Sequence, residues 1–400
     1  MSYDTDILII GAGPAGLTAA RYLAESDVDY VLLAQEDVPC KDKTCGGFVP
    51  TRTLQDFNVS GIQGAHEIHA IRMKFPGMKM VKVEFEESVG INTTRENLGQ
   101  AMLNLVSNAS DSVRMRSKVV SLTPAHDGIR VEYEREGERL SVLSGIVIDA
   151  SGANSVSSRM KLVRPRISNE AMGYGLQFHL RRNANAPDFQ GINDFYYGRE
   201  YSPGGYAWVF PRTREVVIGT GGIVTNARAE SRKLTSYLDN LIQNIEPTKS
   251  DVAGATIYKT DAALMPLAGI VTPSHADGML LAGDAAGHCS PISGEGIHYA
   301  MVGGRYAAEV GAMAIRAKNA TSQFLARYES MWKKEFGSDL KWGLWLQKRF
   351  TSGGSSSMGK NFLASEKSQR VIAEMLVGMR SVRGAILASA PGYLRSKIRI

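Results

Sequence analysis

Residues 282–309, AGDAAGHCSPISGEGIHYAMVGGRYAAE, decide how this chain is read. A short apolar run, Gly278-Met279-Leu280-Leu281, leads into Gly283-Asp284, and Ser293-Gly294-Glu295-Gly296-Ile297 then opens a helical pattern. A Gly-Asp pair alone carries little information. Its counterpart stands near the other end of the chain, Gly11-Ala12-Gly13-Pro14-Ala15-Gly16. That segment lies between the apolar run Asp6-Ile7-Leu8-Ile9-Ile10 and the helical run Leu17–Ala24. A continuous apolar run of this kind suits a parallel strand buried on both faces. Strand, glycine turn and helix in that order make a phosphate-binding turn. Gly11 permits the tight bend, Gly13 lets a pyrophosphate reach the backbone, and Gly16 lets helix and strand pack closely.

Two such halves, so far apart in sequence, describe a site for one long dinucleotide, and the expected cofactor is FAD. Gly11, Gly13, Ala15 and Gly16 are its expected pyrophosphate contacts. Gly283 and Asp284 are expected at the ribityl chain, with Asp284 accepting a hydrogen bond. Gly294, Gly296 and Ile297 are expected close to the isoalloxazine, where bare backbone N–H groups stabilise negative charge on a reduced ring. Glu295, between the two glycines, is read as solvent-facing. One element of the pattern departs. The second strand, Tyr30–Leu33, should end in an acid that holds the ribose hydroxyls, but Ala34 stands there. Glu36 is expected to substitute, with Gln35 as the alternative.

Four hundred residues suggest two or three domains and a substantial core. Three cysteines, Cys40, Cys45 and Cys289, exclude a disulfide scaffold and fit a reducing compartment, so a cytoplasmic location is expected. No cysteine pair and no histidine cluster has metal-site spacing, so no metal is expected. The chain enters a strand within its first residues and has no run of eighteen apolar residues, so neither a signal segment nor a transmembrane helix is expected. Charge is uneven. Residues 341–400 hold eleven Lys or Arg against Glu366 and Glu374, within a chain of net charge +6. Ile372, Met375, Leu376, Met379, Val382, Ile386 and Leu387 follow helical spacing in the same region. Such a basic amphipathic helix either lies peripherally on the inner face of an anionic membrane or docks on its own domain. No nucleic-acid motif accompanies the charge.

The organisation expected is an α/β chain. It has a Rossmann-like FAD-binding domain, discontinuous in sequence, from 1–56, 91–165 and 278–320. An antiparallel-sheet (α+β) substrate domain comes from 57–90 and 166–277, and residues 321–400 form a helical, basic C-terminal region. Alternation over 57–90 and 112–150 reads as strands, with a hairpin at Glu136-Gly137. Residues 95–108 and 226–246 read as helical. Gly354 to Lys360 fits the spacing GxxxxGK, but Asn361 follows and no strand precedes it, so it is read as a loop.

Further segments resemble a known family. Cys45-Gly46-Gly47-Phe48-Val49-Pro50, Thr94-Arg95-Glu96-Asn97-Leu98, Tyr206-Ala207-Trp208-Val209-Phe210-Pro211 and Gly219-Thr220-Gly221, together with the two halves above, stand in the order found in the geranylgeranyl reductase family. That family includes chlorophyll-biosynthesis and archaeal lipid types within the p-hydroxybenzoate hydroxylase-like flavoprotein superfamily. Its CGGxxP, Arg-x-x-Leu and YxWxFP motifs are matched, with Arg212 where Lys is common. The usual Asp-Gly after the third strand of the nucleotide domain is Ser151-Gly152 here. By resemblance, Cys45 and Gly46 lie over the flavin and Arg95 reaches the pyrophosphate. Cys45, Tyr206 and Trp208 are the expected catalytic residues. Tyr206, Trp208 and Phe210 alternate and therefore share one strand face. Spacing alone allows ordinary sheet core or a cavity wall, and the resemblance favours a wall for a prenyl chain. His288 and His298 are read as structural in preference to proton carriers.

The resemblance implies an FAD-dependent reductase acting on isolated prenyl double bonds, borne on a lipid, pigment or diphosphate. NADPH or ferredoxin, the latter an electron-donor protein, would serve as external reductant. The alternatives are a flavin monooxygenase acting on an aromatic or polyketide substrate and a non-catalytic prenyl-lipid carrier.

Overall fold

The computed structural model describes residues 3–41, 43–183, 185–351 and 365–389. Its first sheet runs, from one edge, His275–Ala276, Met279–Leu281, Glu138–Asp149, Thr5–Ile10, Tyr30–Leu33, Val113–Arg114. From Met279–Leu281 onward every pairing on this path is parallel. Ile7, Leu8 and Ile9 are all fully buried, because both faces of the strand are covered. Ile7 and Ile9 pack beneath the helices, whereas Leu8 and Ile10 join Leu122, Ile129 and Val131 from the antiparallel ribbon Ser117–Arg135. Burial on both faces is what the unbroken apolar run requires.

Helix Pro14–Ala24 leaves the first strand directly, and helix Ile297–Arg316 packs alongside it. The approach is close. A Cβ at Gly304 would lie 2.1 Å from the Ala15 carbonyl oxygen, so only glycine admits this contact. The carboxyl ends of Thr5–Ile10, Glu138–Asp149 and Met279–Leu281 therefore bring Gly11, Ala150 and Gly283 to one edge, the ligand-binding edge of an open parallel sheet.

The second sheet has seven strands in the order Thr256–Pro266, Met172–Arg181, Glu215–Ile223, Gly205–Pro211, Ile192–Tyr197, Ala70–Lys74, Val81–Glu84. All its pairings are antiparallel except that of Ile192–Tyr197 with Ala70–Lys74. One face, with Tyr196, Val209, Val216 and Ile218, packs with Leu238 and Leu241 of helix Thr235–Asn244. The other face carries Ile71, Met73, Phe195, Trp208 and Phe210. A three-stranded antiparallel sheet runs Phe48–Pro50, Gly90–Asn92, His66–Ile68.

Among the described residues the basic C-terminal region gives helices Ser322–Trp332 and Ser338–Thr351, then Glu366–Leu376 and Val382–Ser389. Of the two sequence readings, the structure realises docking. Ala373 and Leu376 are buried against the aromatic face of the second sheet, with Ile372 and Met375 packed beside them, so this apolar stripe faces protein. Met379, 61% exposed, is the exception in the pattern. Arg395, Lys397 and Arg399, and the Gly354–Lys360 segment, lie outside the described residues. No helix among the described residues is long and apolar enough to cross a membrane.

Candidate cofactor and substrate site

The glycine turn is built as its spacing demands. Gly11 has φ +101°, and a Cβ there would sit 2.7 Å from the Ala150 carbonyl oxygen. A Cβ at Gly16 would sit 1.9 Å from the Gly11 carbonyl oxygen. Gly13, the helix N-cap, differs: nothing lies within 4 Å of its Cβ position. Its backbone therefore opens onto free space at a helix N-terminus, where an anion is favoured.

The second half of the pattern closes on the first. A Cβ at Gly283 would lie 3.0 Å from Ala15 Cβ, which sets Asp284 beside the same helix N-terminus. Asp284 Oδ1 lies 3.6 Å from the Cβ position of Gly296, joining this segment to the Ser293–Gly296 loop. Lys43 Nζ donates to Asp284 Oδ2 at 2.7 Å, a contact between residues 241 apart that the sequence did not announce. Cys40 is tied to the glycine turn, its backbone N–H donating to the Ala12 carbonyl at 3.0 Å. Arg95, the first residue of helix Arg95–Leu103, acts electrostatically on Cys40, and its Nε is buried with no hydrogen-bond partner. Thr44 Oγ1 is buried and unpartnered as well. Glu36 is half-buried, accepts from Gln35 Nε2 at 2.9 Å, and carries the backbone carbonyl that receives Arg116 N–H at 2.8 Å.

An open glycine turn at a helix N-terminus, a neighbouring carboxylate and buried donors without acceptors together fit FAD. Pyrophosphate oxygens are acceptors in need of donors, and ribityl hydroxyls are donors in need of an acceptor.

The Cys45–Gly47 loop rests on the second sheet. A Cβ at Gly46 would meet Phe210 Cδ2 at 2.4 Å and Trp208 Nε1 at 3.3 Å. Gly47, at φ +91°, faces the Thr93 carbonyl and the Arg212 guanidinium. Cys45 Sγ accepts from Gly47 N–H at 3.4 Å. Tyr206, Trp208 and Phe210 do share one face. The Tyr206 and Trp208 rings lie 5.9 Å apart, and Phe195 packs on Tyr206 at 5.9 Å and on Phe210 at 5.2 Å. The Tyr206 hydroxyl donates to the Ser293 carbonyl and sits 3.6 Å from the Cβ position of Gly294. Strand Gly205–Pro211 thus spans from the Ser293–Gly296 loop to the Cys45–Gly47 loop. Trp208 Nε1 is buried without a partner.

Titratable groups around these loops divide by their surroundings. Glu295 does not face open solvent as read from sequence. Its carboxyl turns into a cleft with Arg52, Thr53, His298, Tyr299, Asp339 and Arg380. Burial pushes it up to about 7; Arg52 opposes the rise and Asp339 adds to it. The reversal has a cause absent from the local sequence: Asp339 arrives from helix Ser338–Thr351 and Arg380 from the bend after helix Glu366–Leu376. His288 is fully buried against Trp332 and Phe336, with ring centroids 4.9 and 5.0 Å away, and burial pulls it down to about 3. His298, against Thr53 and Phe57, is pulled down to about 4, again by burial. His298 Nδ1 pairs with Thr53 Oγ1 at 3.3 Å, whereas both ring nitrogens of His288 are buried without a partner. Among the described residues no group of His, Cys, Asp or Glu is arranged to hold a metal.

Sequence reasoning missed more than Lys43 and Thr44. Asp149, fully buried at the end of its strand, accepts from Ser151 N and Oγ, Ser155 Oγ, and Ser157 N and Oγ. The serine run 151–158 was the available signal, since clustered hydroxyls beside a strand-terminal acid invite such a knot. Ser151, where the related family carries its acid, is a donor to this upstream one.

The pattern of the family described as FAD binding domain matches residues 4–334, and the chain belongs to that family. Its cofactor is FAD. Among curated proteins it is similar to digeranylgeranylglycerophospholipid reductase 2 of Methanopyrus kandleri, 26% identical over 98% of each chain. It is 26% identical to digeranylgeranylglycerophospholipid reductase 1 of Methanococcoides burtonii, over 88% of this chain and 85% of that one. Among solved structures, a geranylgeranyl bacteriochlorophyll reductase-like protein of Thermoplasma acidophilum superposes with a TM-score of 0.82 at 22% identity. That match covers 98% of this chain and 96% of the other, and it establishes the shared fold.

Proposed function

We propose that this chain is an FAD-dependent reductase that saturates isolated double bonds of a geranylgeranyl or similar prenyl chain on a lipid or pigment precursor. The observation that carries this reading is the wall Tyr206-Trp208-Phe210 between the Cys45–Gly47 and Ser293–Gly296 loops. A prenyl chain offers almost no polar handle, so its binding must come from apolar burial against such a wall. The near full-length similarity to proteins named digeranylgeranylglycerophospholipid reductase supports a lipid-borne chain.

Gly13, Ala15, Arg95 and Asp284 would hold the FAD. When bound, the cofactor supplies two electrons as hydride to one alkene carbon. The rest falls to the protein. Tyr206 and Trp208 fix the chain, because an isolated alkene is a poor hydride acceptor and the barrier depends on position. Helix Glu366–Leu376, packed over the aromatic face, keeps water from it. The neighbouring carbon needs a proton. The Tyr206 hydroxyl, raised by burial and held by the Ser293 carbonyl, stays protonated, and the Cys45 thiol lies within its electrostatic reach.

The deciding experiment is anaerobic. The purified protein is reduced with dithionite and mixed with a geranylgeranylated lipid, and flavin reoxidation is followed alongside product mass. Reoxidation with a gain of about two mass units per double bond, one hydride and one proton, is the expected result. Reoxidation only after oxygen is admitted would instead assign a monooxygenase. The same assay driven by NADPH or by reduced ferredoxin identifies the electron donor. A peripheral membrane contact is proposed through the basic residues beyond the docked helix. Deleting 390–400 should weaken binding to anionic liposomes, and unchanged binding would refute the contact.

A further inference from the structure

The aromatic wall ends on a cation. Tyr206, Trp208, Phe210 and Arg212 follow one another at two-residue spacing, and Trp208, Phe210 and Arg212 all meet the Cys45–Gly47 loop. Arg212 is 8% exposed. Its Nε is buried and has no partner, and the nearest carboxylate oxygen among the described residues, Glu215 Oε2, is 3.9 Å away. The acids in range hold other groups, although Asp261 Oδ1 is itself buried without a partner. Glu215 accepts from Arg181 Nε at 3.0 Å and from the Tyr258 hydroxyl at 2.8 Å. Asp261 binds His179 at 3.0 Å and Lys259 at 3.3 Å. A guanidinium nitrogen removed from water without a hydrogen bond is costly to the folded state. Burial accordingly lowers its affinity for the proton. Such a group stands ready for an incoming acceptor.

We propose that Arg212 is an anion subsite that receives the phosphate-bearing end of the substrate, while the prenyl tail lies along Phe210, Trp208 and Tyr206 toward the Ser293–Gly296 loop. The apolar strip from Tyr206 to Phe210 is about 13 Å long at the usual strand rise, and it is bounded by the cation at one end. A surface of that form recognises an amphiphile with an anionic head and a long apolar tail. Arginine suits the task because its planar fork accepts a phosphate in bidentate geometry. The inference rests on the prenyl-chain reading above and adds the group by which the chain is gripped.

The test uses the FAD-loaded protein with three prenyl ligands: geranylgeranyl diphosphate, digeranylgeranylglyceryl phosphate and the neutral alcohol geranylgeraniol. Binding is read from perturbation of the flavin absorbance, and turnover from anaerobic reoxidation. The wild type should prefer the phosphorylated ligands, and inorganic pyrophosphate should compete with them. The phosphorylated ligand that shows the larger preference identifies which of the two is the source. Arg212→Met should lose roughly 10- to 100-fold in affinity for the phosphorylated ligands, as expected for charge-assisted hydrogen bonds. Geranylgeraniol should be unaffected, and Arg212→Lys should recover part of the loss. Equal binding of diphosphate and alcohol by the wild type would overturn the proposal without recourse to any variant. So would an Arg212→Met protein that retains the preference, or one that loses FAD instead. If the wild type reduces none of the ligands yet still binds the phosphorylated ones through Arg212, the reductase reading fails and the anion subsite stands.

Discussion

Arg72 and Arg212 are two largely buried cations of the same antiparallel sheet, and they are housed in opposite ways. Arg72 grips Asp194 through two hydrogen bonds of 2.6 and 2.8 Å and Asp251 through a third of 2.6 Å. Asp194 is itself fully buried, and its position on Ile192–Tyr197 locks that strand to Ala70–Lys74, the one parallel pairing of the sheet. Arg212 has no comparable partner. The contrast separates a charge that belongs to the fold from one that belongs to a site. In the first, Nε and Nη2 donate to carboxylates supplied by the chain itself. In the second, a buried Nε is held without an acceptor, and the carboxylate within range stays 3.9 Å from the guanidinium. The unpartnered Arg95 Nε, Thr44 Oγ1 and Trp208 Nε1 follow the second pattern, and all lie around the Cys45–Gly47 loop or the glycine turn.

This contrast can be broken most directly at its strong end. Arg72→Met leaves Asp194 buried and alone, and should cost about 3–5 kcal/mol in a denaturant melt. Arg212→Met removes a charge held only at 3.9 Å from Glu215, which keeps Arg181 and the Tyr258 hydroxyl, and should leave stability nearly unchanged. Similar losses for the two variants would erase the distinction. At the cofactor turn, Arg95→Ala should weaken FAD binding about tenfold, near 1.4 kcal/mol, with the folded state preserved. Fluorescence titration of the apoprotein reads this, and an unchanged dissociation constant would make Arg95 an ordinary surface cation.

Glu295 gives a smaller, pH-dependent effect. Its carboxyl titrates at about 7 in the folded chain against an ordinary value of 4.5. The folded state therefore holds an extra proton between those values, and stability falls as pH rises through that window. Glu295→Gln abolishes the loss, so the gap in melting temperature between variant and parent should widen from about pH 5 to about pH 8. A constant gap would mean that the cleft leaves this carboxyl unperturbed. Least affected should be Arg370→Ala. Arg370 stacks over Phe85 at 4.5 Å and donates to the Glu84 carbonyl, which fastens helix Glu366–Leu376 to its strand. At so exposed a position the loss should be about 0.5–1 kcal/mol.

The elements legible in the sequence were those written in local pattern. The run Asp6–Ile10, the glycine turn and the Tyr206-Trp208-Phe210 alternation each declare strand, helix start or shared face through neighbours a few residues away. What stayed hidden depends on residues brought together from far apart. Lys43 meets Asp284 across 241 residues, and Glu295 meets Asp339 and Arg380 in a cleft assembled from segments far downstream. The amphipathic tail shows the same limit: its periodicity states that one face is apolar but not which surface that face covers, protein or lipid. Arg212 was visible as a residue type, but its lack of partners exists only in three dimensions.

The knot at Asp149 limits what position 151 can hold. Five donors from Ser151, Ser155 and Ser157 converge on that one carboxylate. Reintroducing at position 151 the acid found in the related family would therefore do more than add a group toward the nucleotide. It would remove one of those donors, the Ser151 hydroxyl, and set a second carboxylate against the fully buried Asp149. Ser151→Asp should therefore be harmful alone and better tolerated once position 149 has also changed. The residue allowed at 151 is set by the acid two positions before it.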